Sequence, residues 1–596
     1  MKKRILIICI VMMLVLILSS CGSDSEGLEI TSQPQDVEVS YPDGASFSVK
    51  VSKPRAVESY QWILIDQAGN VFELEGVTAK TSKLVVPSTQ RMGEDMQFYC
   101  VITAKDGTVL ESERAVLSKN NGEIDKPVFF VGEYAVEPGE TLDLSKVKID
   151  RKHKLGSGTV MFDSNGKDIT ISNVDFDNTF VSCDLAIASN VAFALEVNHP
   201  DPAAEYNVTF VGTNRIINNY YDEAYNAGGI AIDFCFTGTD NGTPLVNFIG
   251  DGSLEITNGT NAVRIIGDLM VDIDITVKQS RPYFSDGLYA ENIKISQGKK
   301  LDLEVYGAAI YSKGNLFVEG ADIKIKAHAP SVGMGISNRN VIHAPLSVNI
   351  EDSSITIDYD ADQDICGRTA GAAGINTGGP FYLTNSSFAY KASVRKGSDI
   401  YASNFIGISV GEGEVDNSKV DITMDCEHHF MAYGIYSDQS ILFKNSEATV
   451  NIKSGGAAYG IAAEMDFSVD DSNIDVNTEA VEMVGHKDAF GIVCENFVIR
   501  ESGWEKTVRT FAKGGMAVAC NLHDLHDRPS GFVSDYTPRN IFMREGAVCM
   551  IPADNVVSLG SISNGDDEIP SYMYVETYYS QADTSRPAEE LIFGLQ

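Results

Sequence analysis

A short phrase returns through the second half of this 596-residue chain at intervals of roughly thirty residues. It reads Met334-Gly335-Ile336, Ala373-Gly374-Ile375, Ile406-Gly407-Ile408, Tyr433-Gly434-Ile435, Tyr459-Gly460-Ile461 and Phe490-Gly491-Ile492. Weaker copies stand at Gly287-Leu288, Ala309-Ile310 and Ala517-Val518. Self-similarity at such a period means stacked units, each too small to bury its own apolar face.

Three short strands fit one period: the Gly-Ile strand, Ile441-Leu442-Phe443, and residues 448–452, with Asn445-Ser446 turning the chain between the second and third. The same turn recurs as Asp352-Ser353, Asn385-Ser386, Asn417-Ser418 and Asp471-Ser472. Three strands per turn with Asn or Asp at one corner predict a parallel β-helix, the Asn and Asp side chains bonding to the next coil's backbone and to one another. Thirteen to sixteen coils at ~4.8 Å would stack into a rod of roughly 60–75 Å. Strict alternation along each strand would turn every Ile inward, the Gly outward, and the residue before the Gly inward. Outward columns would then carry Gly407, Gly434 and Gly460, and beyond the Ile, Tyr289, Tyr311, Ser337, Asn376, Ser409 and Tyr436. Gly407, Gly434, Gly460, Tyr289, Tyr311 and Tyr436 are the candidate ligand-binding residues. A bare glycine column suits close approach to the backbone, by a polymer or by the protein's own insertions.

The N-terminus sets the address. Lys2, Lys3 and Arg4 precede an apolar run over residues 5–18 that is shorter than the ~20 residues of a membrane span, so residues 1–20 read as a signal peptide. Leu18-Ser19-Ser20-Cys21 resembles the lipobox of bacterial lipoproteins. That resemblance implies lipidation at Cys21, a tether over 21–27, and an extracytoplasmic protein held at a cell membrane or outer surface. Losing Lys2, Lys3 and Arg4, and no acidic residue, takes the net charge from −37 to −40. Such a surface excludes nucleic acid as a partner, because phosphate contacts need clustered Lys and Arg. No Cys-x-x-Cys pair is present among the ten cysteines, which disfavours zinc and iron–sulfur sites.

Residues 28–118 carry short alternating segments at 46–51, 60–65, 83–86, 98–103 and 109–117, the spacing of an all-β sandwich. Tyr60-Gln61-Trp62 and Tyr99-Cys100-Val101-Ile102-Thr103 resemble bacterial immunoglobulin-like domains. The resemblance implies a core position for Trp62 and Cys100; Val49 or Val51 stands where a partner cysteine would be, so Cys100 is expected as a free thiol. A linker follows at 119–126, then a β-helix with a C-terminal cap over 127–596. The expected fold is thus all-β: an immunoglobulin-like sandwich followed by a long right-handed parallel β-helix.

Over residues 127–530 the architecture resembles the pectate-lyase-like superfamily, and Gly250-Asp251-Gly252-Ser253-Leu254-Glu255-Ile256 with the coils after it resembles carbohydrate-binding β-helix surface proteins. The ordered polygalacturonase motifs are not present; Gly485-His486-Lys487-Asp488 is an isolated fragment. A uronate lyase needs calcium and a desolvated Lys or Arg, and nothing marks Lys391, Arg395 or Lys396 as desolvated. Asp358, Asp360, Asp362 and Asp364 alternate along one segment and form the candidate calcium ligands, although the segment lacks the Gly and Glu of an EF-hand loop. His523 and His526 form a weak transition-metal pair. The residues therefore favour a non-enzymatic surface lipoprotein that binds extracellular polysaccharide or another polymer, with calcium as the one candidate cofactor. A polysaccharide lyase and an adhesin for a surface protein stand as alternatives.

Overall fold

A computed structural model describes residues 27–513 except for connecting segments, chiefly 41–44, 87–95, 121–126, 148–153, 178–190, 281–285, 329–339, 361–371, 394–403, 427–430, 482–487 and 500–507. After residue 513 it describes strand backbones with a few connecting residues. Residues 1–20, Cys21, Met334-Gly335-Ile336, Ser337, Asp362, Asp364, Arg395, Lys396, His486, His523 and His526 lie outside the described residues. Contacts divide the chain into two compact units at the junction of residues 121 and 122.

The first unit is the expected immunoglobulin-like sandwich. Val37–Ser40, Ala115–Asn120, Met96–Ala104, Val57–Ile65 and Val71–Glu73 form one sheet in that order, with Val109–Glu111 against Met96–Ala104. Ala45–Ser48 and Lys83–Val86 pair separately and share its core. Alternation does the sorting: Met96–Ala104 buries every second residue, Phe98, Cys100 and Ile102 among them. Trp62 lies opposite Cys100, is fully buried, and donates its indole N–H to the Thr81 carbonyl at 2.9 Å. Phe47 stacks on Phe98 at 4.7 Å beside Trp62, filling the interior where a disulfide is not formed. Burial pushes the Cys100 thiol up to about 12.

The second unit is a long parallel β-helix. A fourteen-stranded sheet collects one strand per coil; its last twelve strands, from Val191–Asn198 to Met516–Ala519, are parallel. The second and third strands of each coil join a thirty-stranded sheet. Ile232, Val263, Leu288, Ile310, Ile342, Ile375, Ile408, Ile435, Ile461 and Ile492 stand in register and are buried to within 1%. The layer between Ile310 and Ile375 is Ile342. Twelve described coils have a parallel first strand, and Asp168–Asp177, parallel to Glu205–Val211 and Thr213–Asn218, adds a thirteenth layer to the other sheet; beyond these both ends change character. Val128–Val131, Tyr134–Val136, Thr141–Asp143 and Gly156–Phe162 pair antiparallel before the first coil. Val508–Lys513 likewise pairs antiparallel with Glu590–Leu595. Such hairpins close off sheet edges that would otherwise offer unpaired backbone groups.

The corner between second and third strands is built as the sequence suggests, with a division of labour. Asp352, Asn385, Asn417, Asn445 and Asp471 take left-handed backbone (φ 41–49°), which Asn and Asp tolerate better than other side chains. The serine after each turns inward. Backbone N–H groups of Ser353, Ser386, Ser418 and Ser446 donate to the hydroxyl of the serine one coil on, at 2.9–3.0 Å. Each hydroxyl donates in turn to the carbonyl two residues before it, as Ser446 does to Lys444 at 2.6 Å.

Candidate functional site

The fourteen-stranded sheet does not alternate strictly at its glycines. Its ladder pairs Ile406 with Tyr433 and Ile408 with Ile435, and has no rung at Gly407 and Gly434. A Cβ on Gly434 would run into the Val450 side chain, one on Gly460 into Val476, and one on Gly407 into Ile422. These partners belong to the interior, so Gly407, Gly434 and Gly460 face inward together with the isoleucines that follow them. The glycines let this sheet lie close on the third strands; they are not an open track for a ligand. The preceding column is correspondingly turned outward. Tyr433, Tyr459 and Phe490 form a cluster separate from the interior, their rings stacked at 4.5 and 5.1 Å and covered to within 7%.

The column after the isoleucines faces outward as expected. In register it reads Asp233, Arg264, Tyr289, Tyr311, His343, Asn376, Ser409 and Tyr436. His343 occupies the layer between Tyr311 and Asn376. Neighbours along the column bind one another. Arg264 donates from Nε and Nη2 to Asp233 Oδ1 and Oδ2 at 2.9 and 2.6 Å, which strengthens its hold on its proton. Tyr289 and Tyr311 stack at 5.2 Å with a 14° tilt, and Tyr311 packs on His343 at 4.9 Å. His343 Nδ1 lies 3.0 Å from Asn376 Oδ1 and 3.3 Å from Asn340 Nδ2. Burial lowers the His343 pKa, against the raising effect of Asn376. Lys313 pairs with Glu291 at 2.6 Å and sits over the Tyr289 ring at 5.5 Å.

Stacking determines what the tyrosines can offer. The faces of Tyr289 and Tyr311 that meet are used up on each other, so a ligand meets ring edges and phenol hydroxyls rather than broad aromatic planes. Tyr436 is committed further still: its hydroxyl donates to Glu464 at 3.0 Å and its ring meets Tyr433 edge-on. Burial, with Asp438 and Glu464 nearby, raises its pKa. Beside Tyr289 and Tyr311 lies Asp286, whose Oδ1 is buried without a protein hydrogen bond. Burial pushes this carboxyl up to about 7, and its proximity helps raise the Tyr311 pKa after burial itself and Tyr289. Asp286, Asp233, Arg264 and His343 were not legible as site residues from the Gly-Ile phrase. The looser grammar small–aliphatic–polar would have found the column: Ala231-Ile232-Asp233, Ala262-Val263-Arg264, Val341-Ile342-His343.

The two described calcium candidates stand elsewhere. Asp358 and Asp360 share the outward face of Ser354–Asp360, with Asp358 exposed. Asp358 is flanked in register by Lys326 and Lys391, and Asp360 by His328 and Ser393. His328 and Lys326 both lie on Glu304, at 3.2 and 2.9 Å. Cations on both neighbouring coils oppose a divalent ion at Asp358. Among the described residues no group of three or more His, Cys, Asp or Glu is placed to hold a metal ion.

No family model matches the chain, and no curated protein matches it. Solved structures similar to it include the N-terminal Ig1-2 module of the Drosophila receptor protein tyrosine phosphatase DLAR, at 20% identity and a TM-score of 0.14. That match covers 20% of this chain and 63% of that one, so the chain spans less than two thirds of the module. Pectate lyase Pel3 from Pectobacterium carotovorum is similar at 9% identity and a TM-score of 0.12, covering 72% of this chain and 92% of that one.

Proposed function

We propose that the outward column from Asp233 to Ser409 is a binding face for an extracellular polysaccharide, carried on a surface protein tethered through Cys21. The observation that supports this reading most is the Tyr289–Tyr311 pair with Asp286 beside it. It combines phenol hydroxyls one strand spacing apart, ~4.8 Å, with a buried carboxyl oxygen that has no protein partner. Groups repeating at a fixed interval suit a ligand that itself repeats and is rich in hydroxyls. Binding rather than cleavage is favoured because Arg264 and Lys313, cations beside the column among the described residues, are each held by a carboxylate and are poorly placed to act as bases.

Electrophoresis of residues 22–596 through gels containing single polysaccharides tests the reading. Retardation in at least one glycan is expected, reduced severalfold by Tyr311→Phe with Asn376→Ala. Indifference to every glycan would favour a protein partner instead. Release of unsaturated ends from polygalacturonate with calcium, followed by absorbance, would replace binding with lyase activity.

A further inference from the structure

A different face of the β-helix presents aromatic planes. Along the second strands, one outward column reads Lys294, Phe317, Asn349, Tyr382, Glu414, Leu442 and Ser468 in register. Phe317 and Tyr382 are 42% and 41% exposed, high values for aromatic side chains on a sheet. Asn349 separates them, so neither ring covers the other, in contrast to Tyr289 and Tyr311. Two strand spacings set them roughly 9.6 Å apart, about the length of a disaccharide.

Next to Tyr382 the surface sinks into a hollow of about 240 Å³. Tyr382 and Leu442 give it apolar walls, Glu412, Glu414 and Asp466 give it carboxylates, and Ser440 and Ser468 add hydroxyls. None of the residues lining it is cationic. An apolar plane beside hydrogen-bond acceptors matches a sugar ring, whose C–H face packs on an aromatic while its hydroxyls donate outward. Carboxylates accept such hydrogen bonds strongly, and without a cation among them they repel a uronate or sulfated sugar.

We infer that this hollow and the Phe317–Tyr382 platform form a second glycan site, selective for uncharged sugars and separate from the fourteen-stranded face. The chain would then hold glycan on two faces of one β-helix. The inference does not depend on the reading of the Tyr289–Tyr311 column, and its test keeps the two apart. Titration calorimetry of residues 22–596 with cellohexaose, mannohexaose and xylohexaose is expected to show binding of at least one. Tyr382→Ala should weaken that binding at least tenfold, and Glu414→Gln, which keeps the shape and removes the charge, severalfold. Ser387→Ala, on the third strand of its coil and away from the hollow, should leave it unchanged. Unfolding midpoints within a degree or two of the parent would show that the variants fold. Failure of all three oligomers to bind, or equal affinity in Tyr382→Ala, overturns the site.

Discussion

Asp286 shows how much a single buried atom can decide. Its carboxyl titrates near 4 in an unfolded chain and at about 7 in the folded one, because burial disfavours the charged form. Between those values the folded protein keeps a proton that the unfolded chain has released. Stability contributed by that proton is complete below pH 4, falls as pH rises through 7, and is then gone. Asp286→Asn removes the titration. Urea unfolding of parent and variant from pH 4 to pH 8 should diverge in the variant's favour, by up to about 4 kcal/mol. Parallel profiles would mean that water already solvates Oδ1 and that the site is less dry than its geometry implies. The interior isoleucines were legible in the sequence because an aliphatic residue at a fixed period has one physical reading. Gly434 was not. Its inward orientation depends on Val450 from another strand of the same coil, and no local pattern reveals that crowding.

At the scale of one corner, the sequence showed Asx-Ser but not which residue does what. Asn445 supplies the left-handed turn, while Ser446 is buried to 1% and closes the coil-to-coil bond. Removing its hydroxyl leaves the Ser418 N–H, now 3.0 Å from Ser446 Oγ, without an acceptor in the interior. Ser446→Ala should therefore cost about 1–3 kcal/mol in denaturant unfolding. The half-buried Ser387, whose hydroxyl donates to Ser354 Oγ at 3.1 Å, provides the comparison: Ser387→Ala should stay within about 0.5 kcal/mol. Equal costs would mean that the serine ladder adds nothing beyond surface polarity. The antiparallel strands before the first coil were missed for a related reason. Residues 128–162 have the same apolar alternation as the coils, and only pairing partners distant in sequence decide whether a strand runs parallel or antiparallel.

Across the β-helix unit, charge sets which polymers can approach. A chain at −37 repels acidic glycans at long range, and salt weakens that repulsion. Calcium bridging was the sequence's answer to this problem, and it rested on alternating aspartates read as one cluster. In three dimensions alternation along a strand places Asp358 and Asp360 on one face, but stacking inserts Lys326 and Lys391 on either side of Asp358. Sequence spacing could not show those neighbours, which come from other coils. The two faces proposed to bind glycan carry hydroxyls and carboxylates that suit hydroxyl donors. Retardation by an uncharged polysaccharide should accordingly be the same in a calcium chelator as in millimolar calcium, and should change less than twofold between low and physiological salt. Polygalacturonate should give no retardation in either condition. Calcium-dependent retardation by polygalacturonate that disappears in Asp358→Asn with Asp360→Asn would return the ligand to the acidic class and place the cation at that strand.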